Sequence, residues 1–203
     1  RRGGTGVSGR GIRRGRAVAL AGVLLAGALV VVDPSPAAAA QPPQFVRAWG
    51  TVEATDADLR APSGVAVSAA GEVFVLDTER DAVQVYDRDG AYLRRWTVAT
   101  TASGVAVSPA DGNVRVLRQC GVAEYTPAGA SVRAWGSCGT AAGTLPTSPA
   151  ALAIAAGGDV YVADATNDRI SRFSATGTFL QAWGSSGTTD GRFRDPSAVA
   201  VGA

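Results

Sequence analysis

Histidine, lysine and methionine are absent from the sequence, cysteine occurs twice, and aromatic residues are few. Without imidazole, the residues present can build neither a Ser-His-Asp hydrolytic triad nor a histidine-ligated metal centre. Chemistry that uses carboxylates alone around a divalent ion such as calcium stays open, because oxygen ligands suffice for it. The missing methionine leads to the expectation that Arg1 is not the translated start. Abundant Ala, Gly and Arg point to a GC-rich bacterial genome. The longest apolar run, from Ala17 to Val32, falls short of the ~20 residues that a helix needs to cross a hydrocarbon core.

That run reads instead as an export signal. Residues 1–16 hold six arginines and no acid, Asp33-Pro34-Ser35-Pro36 ends the apolar stretch, and Ala38 and Ala40 are small residues where a signal peptidase reads. Cleavage is expected before Gln41. Residues 1–40 are then a signal peptide, and residues 41–203 are secreted or held at the cell surface or in the periplasm, with no membrane span. Arg13-Arg14 offers a twin-arginine variant of the same signal, although Gly15-Arg16-Ala17 is a poor apolar continuation.

Cleavage inverts the charge. The whole chain carries +2, whereas residues 41–203 keep 13 arginines against 16 acids, a net of −3. A mildly acidic body gains little from counterion release at phosphates, which disfavours nucleic acid as a partner. Cys120 and Cys138 both lie in this exported part, where an even count of cysteines permits a bridge. A reactive thiol pair or half of a metal site lacks partner residues.

The exported part is repetitive. A shift of 87 residues lays Asp164 on Asp77, Ile170 on Val83, Phe173 on Tyr86, Gly177 on Gly90, Leu180 on Leu93 and Trp183 on Trp96. A third copy between them places Val114, Tyr125, Gly129 and Trp135 in the corresponding positions, so the period is about 40 to 48 residues, the signature of solenoids, propellers or arrays. Each unit holds four short apolar segments separated by turn signals, the pattern of an antiparallel meander. In the first unit these are Gly64–Val67, Val73–Leu76, Ala82–Tyr86 and Tyr92–Trp96. In the second they are Gly104–Val107, Val114–Leu117, Gly121–Tyr125 and Ser131–Trp135, and the third runs from Ala151–Ile154 to Phe179–Trp183. The second unit is degenerate: its middle connection is short and has lost its Asp, and Cys120 stands there, so that a covalent tie replaces side-chain contacts. Phe45–Gly50 is a lone fourth strand, and Ala198–Val201 is expected to open a further blade.

Pro62-Ser63-Gly64-Val65-Ala66-Val67, Val160-Tyr161-Val162-Ala163-Asp164, Asn167-Asp168-Arg169-Ile170 and Phe179-Leu180-Gln181-Ala182-Trp183-Gly184 carry a resemblance to NHL repeats. The resemblance covers essentially residues 45–203. It implies an all-β fold, an NHL-type β-propeller of four-stranded antiparallel blades, with about three blades forming an open arc of a six-bladed ring. The blades fall at about 59–96, 102–136 and 148–184, and the next begins at 193–203. Because the first copy has Arg80 and Ala82 where the third has Asn167 and Arg169, an Asp-to-Arg contact is expected to be absent from it.

Function is less legible, because a fold hosts many functions. Asp164 with Arg169 reads as a structural pair that satisfies a turn, Asp87-Arg88-Asp89-Gly90 as a hairpin rather than the start of a calcium loop, and the strand-four tryptophans as packing between blades. In a meander the connections between second and third strands share an edge with the loops between blades. That edge is the expected binding face, with Glu79, Arg80, Asp81, Arg118, Gln119, Asn167 and Asp168 as candidate residues and no cofactor or metal. A protein, a peptide or a cell-wall polysaccharide is the expected partner of an interaction scaffold. The alternative is a secreted propeller enzyme of the lyase or lactonase type, with catalytic residues in other blades.

Overall fold

The structure, a computed structural model, describes residues 45, 48 and 58–202. The expected signal peptide, Trp49 and most of the leading strand 45–50 therefore lie outside the described residues. Twelve strands make three sheets among those described. The first sheet is β1 (Pro62–Val67), β2 (Val73–Asp77), β3 (Ala82–Tyr86) and β4 (Tyr92–Thr97). The second is β5 (Ala102–Val107), β6 (Val114–Arg118), β7 (Gly121–Tyr125) and β8 (Ser131–Trp135). The third is β9 (Ala151–Ile154), β10 (Val160–Asp164), β11 (Arg169–Phe173) and β12 (Phe179–Trp183).

Each sheet is an antiparallel meander in sequence order. Inner strands follow one another, β1 beside β5 and β5 beside β9. β2 and β10 begin as apolar runs and β6 carries Arg115 within its own, and all three strands are largely buried, as expected for strands between two layers. One core therefore lies between the first and second sheets, with Phe74, Leu76 and Val85 meeting Val105, Val114 and Val116. A second lies between the second and third, where Leu117 and Val122 meet Leu152, Val162 and Phe173.

Two contacts recur at these junctions. The Trp96 ring covers Gly129 so closely that a Cβ there would lie 2.8 Å from it, and Trp135 covers Gly177 in the same way. Both glycines sit in β3–β4-type hairpins with φ of +90° and +91°, which excludes a side chain twice over. Beside them, Arg94 donates to the Pro127 carbonyl (2.9 Å) and Arg133 to that of Ala175 (2.9 Å), each reaching into the hairpin of the next blade.

The Asp87 carboxylate accepts the Asp89 and Ala91 N–H groups at 2.8 Å, and Gly90 adopts a φ of +87°, so this segment is the expected hairpin. Residues 196–202 form no strand, in contrast to the expectation for Ala198–Val201. A strand needs a partner for its ladder, and no neighbouring second strand stands beside it among the described residues.

Candidate functional site

The connections between second and third strands meet the loops that enter each blade, and this edge is built on buried polar groups. In the first blade Asp77 ends β2 with no exposure. It accepts the Arg60 and Ala61 N–H groups (3.0 Å each) and the Gln84 amide (2.9 Å). Gln84 also donates to the Asp58 carbonyl (2.7 Å) and accepts the Tyr86 hydroxyl (3.1 Å). Burial by itself raises the Asp77 pKa, but the Arg60 and Ala61 N–H groups and the Gln84 amide outweigh it and hold the carboxyl below its ordinary value. The Tyr86 phenol is pushed up to about 12, first by burial and then by the Asp77 charge.

The Asp-to-Arg contact expected to be absent from this blade is present. Arg80 places its guanidinium 3.8 Å from Asp77 and 3.7 Å from Asp58. The long Arg side chain reaches back from the turn to the carboxylate that Arg169 approaches from strand three in the third blade.

In that third blade Asp164 accepts the Asn167 N–H (3.0 Å), the Asn167 amide (2.8 Å) and the Arg169 Nε (2.9 Å). The other nitrogens of Arg169 donate to the carbonyls of Thr140, Ala141 and Thr144, which fastens the loop between the blades. Every guanidinium nitrogen is thus engaged by protein, and the pair is structural.

The second blade has Arg118 where the others have Asp. Its two-residue turn puts Cys120 in a left-handed conformation (φ 59°), and Cys120 is bonded to Cys138 in the loop toward the third blade. Asp168 holds the matching left-handed position in the third blade (φ 52°), and Ser186 matches Cys138. There the tie is non-covalent. The Asp195 N–H and then the Ser186 hydroxyl hold the Asp168 carboxyl below its ordinary range.

The remaining candidates divide in the same way. Glu79 is exposed and stands 3.8 Å from Arg60. Asp81 is left-handed (φ 48°), and its carbonyl accepts the Val98 N–H (2.7 Å). Arg118 is half-buried, while Gln119 is exposed and its N–H donates to Thr101. Asn167 and Asp168 shape their own turn. The structure thus places the seven residues one connection per blade, and the bonds of most of them organise the edge.

What the same edge presents toward the inner strands is a cleft of about 210 Å³ lined by Ser63, Ser103, Ala150 and Ser197 and by the backbone beside them. Pro62 pairs with Asp77 and Gly64 with Leu76, so Ser63 is the extra residue of a bulge, and Ser103 is the same residue between Ala102 and Gly104. A bulge leaves its extra residue off the ladder and re-aims its side chain. The shielded Ser103 hydroxyl has no protein partner. Gly64 and Gly104 let the inner strands approach, since a Cβ would lie 3.3 Å from Val105 and 3.0 Å from Leu152. The lining carries no charge and offers hydroxyl and backbone groups. These serines escaped the sequence reading, although Pro62-Ser63-Gly64-Val65, Ala102-Ser103-Gly104-Val105 and Pro196-Ser197-Ala198-Val199 repeat them.

Residues 59–86, which include β1 to β3, match the NHL repeat family model. Solved structures include similar chains. The chain is similar to Kuenenia stuttgartiensis hydrazine synthase at 17% identity and a TM-score of 0.52, covering 74% of this chain and 41% of that one. It is also similar to a streptogramin B lyase (17%, 0.49, covering 59% and 39%) and to virginiamycin B lyase from Staphylococcus aureus (14%, 0.47, covering 57% and 39%). It thus spans about two fifths of the length of these proteins. No curated protein matches it. The three sheets are arranged as propeller blades, and the NHL match lies in the first of them.

Proposed function

We propose that this arc of NHL-type blades is an extracellular binding scaffold whose partner, a protein, a peptide or a cell-wall polysaccharide, is held through uncharged hydrogen-bonding groups on the loop-bearing edge. The observation that carries this reading is the pair of bulged serines, which sit at the same point of successive inner strands and face an uncharged cleft. Binding residues concentrate where loops meet a rigid scaffold. Asp77, Asp164 and Arg169 are engaged by backbone and by one another, which favours a platform over a reaction centre. The Cys120–Cys138 bridge suits an oxidising compartment, and no helix among the described residues is long and apolar enough to cross a membrane.

The test is retention on insoluble peptidoglycan and on an immobilised peptide array. Ser63→Trp and Ser197→Trp, which fill the cleft, are expected to abolish retention on whichever support holds the parent chain. Retention that survives both variants, or no retention on either support, overturns the proposal.

A further inference from the structure

On the opposite edge, where the β1–β2 and β3–β4 types of turn emerge, the two junctions between blades differ. Between the first and second blades lies a cleft of about 510 Å³. One wall is Val67, Ala69 and Ala70, and the other is Val107, Pro109 and Pro127. Its volume falls within the ~300–1,000 Å³ of ligand pockets.

The matching junction between the second and third blades is closed, and turn length accounts for the difference. Residues 68–72 and 155–159 form five-residue turns with the same bonds, Ser68 to Glu72 and Gly71 to Ser68, then Ala155 to Asp159 and Gly158 to Ala155. The second blade inserts one residue, so that its turn runs from Ser108 to Asn113. The longer turn brings Ala110 against Gly158, where a Cβ would lie 3.5 Å from Ala110 and 3.0 Å from Ala175. The first blade's shorter turn does not cross. Gly112, which occupies the position of Gly158, has nothing within 4 Å of a Cβ built on it.

The charge near this opening is already neutralised. Arg94 bonds both Glu72 oxygens (2.8 and 3.0 Å), and its Nε donates to the Pro127 carbonyl (3.1 Å). A charged ligand would have to break a bidentate pair to gain a partner, whereas an uncharged one need only cover Val67, Ala69, Val107 and the two prolines. We propose that the cleft between the first and second blades is a binding site for a small, uncharged, mainly apolar molecule. This site is separate from the serine-lined cleft and does not depend on it.

Fluorescence titration of the full chain with N-phenyl-1-naphthylamine, an uncharged apolar probe, tests it. Saturable binding of one probe per chain is expected. Ala69→Trp fills the opening and should weaken binding at least about tenfold, while Ala156→Trp, the same turn position in the third blade and remote from the opening, should leave it unchanged. Circular dichroism melts establish that each variant folds. Should Ala69→Trp fail to fold, Pro109→Glu places an unpaired charge in the wall from an exposed position and should weaken binding equally. Binding that does not saturate, or that these variants leave unaltered, overturns the proposal, as does equal weakening by Ala156→Trp.

Discussion

Asp77 is buried with two backbone N–H groups and an amide directed at it, so neutralising it leaves three donors facing a weaker acceptor. Asp77→Asn is expected to lower stability by about 1–3 kcal/mol, read by urea denaturation. Because the folded carboxyl is held below its ordinary value of 3.8, the contribution is present above about pH 4 and fades as pH falls through the folded pKa. Tyr86 gives the alkaline counterpart. Its pKa rises from 10.0 to about 12 on folding, so the neutral phenol stabilises the fold below pH 10, and about 2–3 kcal/mol is lost as pH climbs toward 12. Tyr86→Phe should be less stable at neutral pH, where Gln84 loses a donor, yet show a flatter decline above pH 10 in thermal melts. Replacing Cys120 and Cys138 by Ser should cost about 3 kcal/mol. Cys120→Asp with Cys138→Ser should recover part of that, because Asp168 and Ser186 make the same tie in the third blade.

Between elements, the repeated lock of a tryptophan on a hairpin glycine sets the spacing of the blades. Gly177→Ala demands both a left-handed alanine and displacement of Trp135, so a loss of more than about 2 kcal/mol is expected in denaturant titrations. The second blade adds a charged cluster that reaches the third. Glu124, buried, accepts from Asn113 (2.7 Å) and Arg133 (2.7 Å) and lies 3.6 Å from Arg115. Arg115 is fully buried, and its Nε and NH1 have no protein partner. Phe74 and Tyr161 fill the matching positions of the other blades. Arg115→Leu is therefore expected to be neutral or stabilising by up to about 3 kcal/mol, while Glu124→Ala, which takes the acceptor from the Asn113 amide and the Arg133 Nε and leaves Arg115 with Asp111 and Ala175, should cost about 1–3 kcal/mol. The opposite order in paired thermal melts would show that Arg115 is the anchor of the junction.

At the scale of the molecule, the inner strands show which way the arc runs. Val105 is 7% exposed and Leu152 8%, each lying against the glycine of the blade before it, whereas Val65 at the same position is 65% exposed. At the other side Trp183 is 38% exposed, while Trp96 and Trp135 are covered by the following hairpin. Sheets stacked in this way satisfy their faces only with neighbours. Residues 41–203 expressed alone are accordingly expected to self-associate with rising concentration in size-exclusion chromatography, and a monomer at every concentration would show the arc to be self-sufficient. N-terminal sequencing of exported material should begin Gln41-Pro42-Pro43.

The blade pattern was legible in the chain because it is local. Alternation, turn glycines and one tryptophan per unit placed the strands of the first two units and the outer strands of the third to within two residues, though not the strand expected at Ala198–Val201, and the shrunken connection at Cys120 pointed to its covalent tie. What depended on bringing segments together was not legible. A bulge that re-aims Ser63 is a matter of register, which one residue in a ladder decides and composition does not reveal. The reach of Arg80 to Asp77 depends on side-chain path rather than on spacing. Whether a junction between blades closes over Gly158 or stays open at Gly112 turns on a single inserted turn residue measured against a neighbouring sheet, a distance that exists only after the blades have packed.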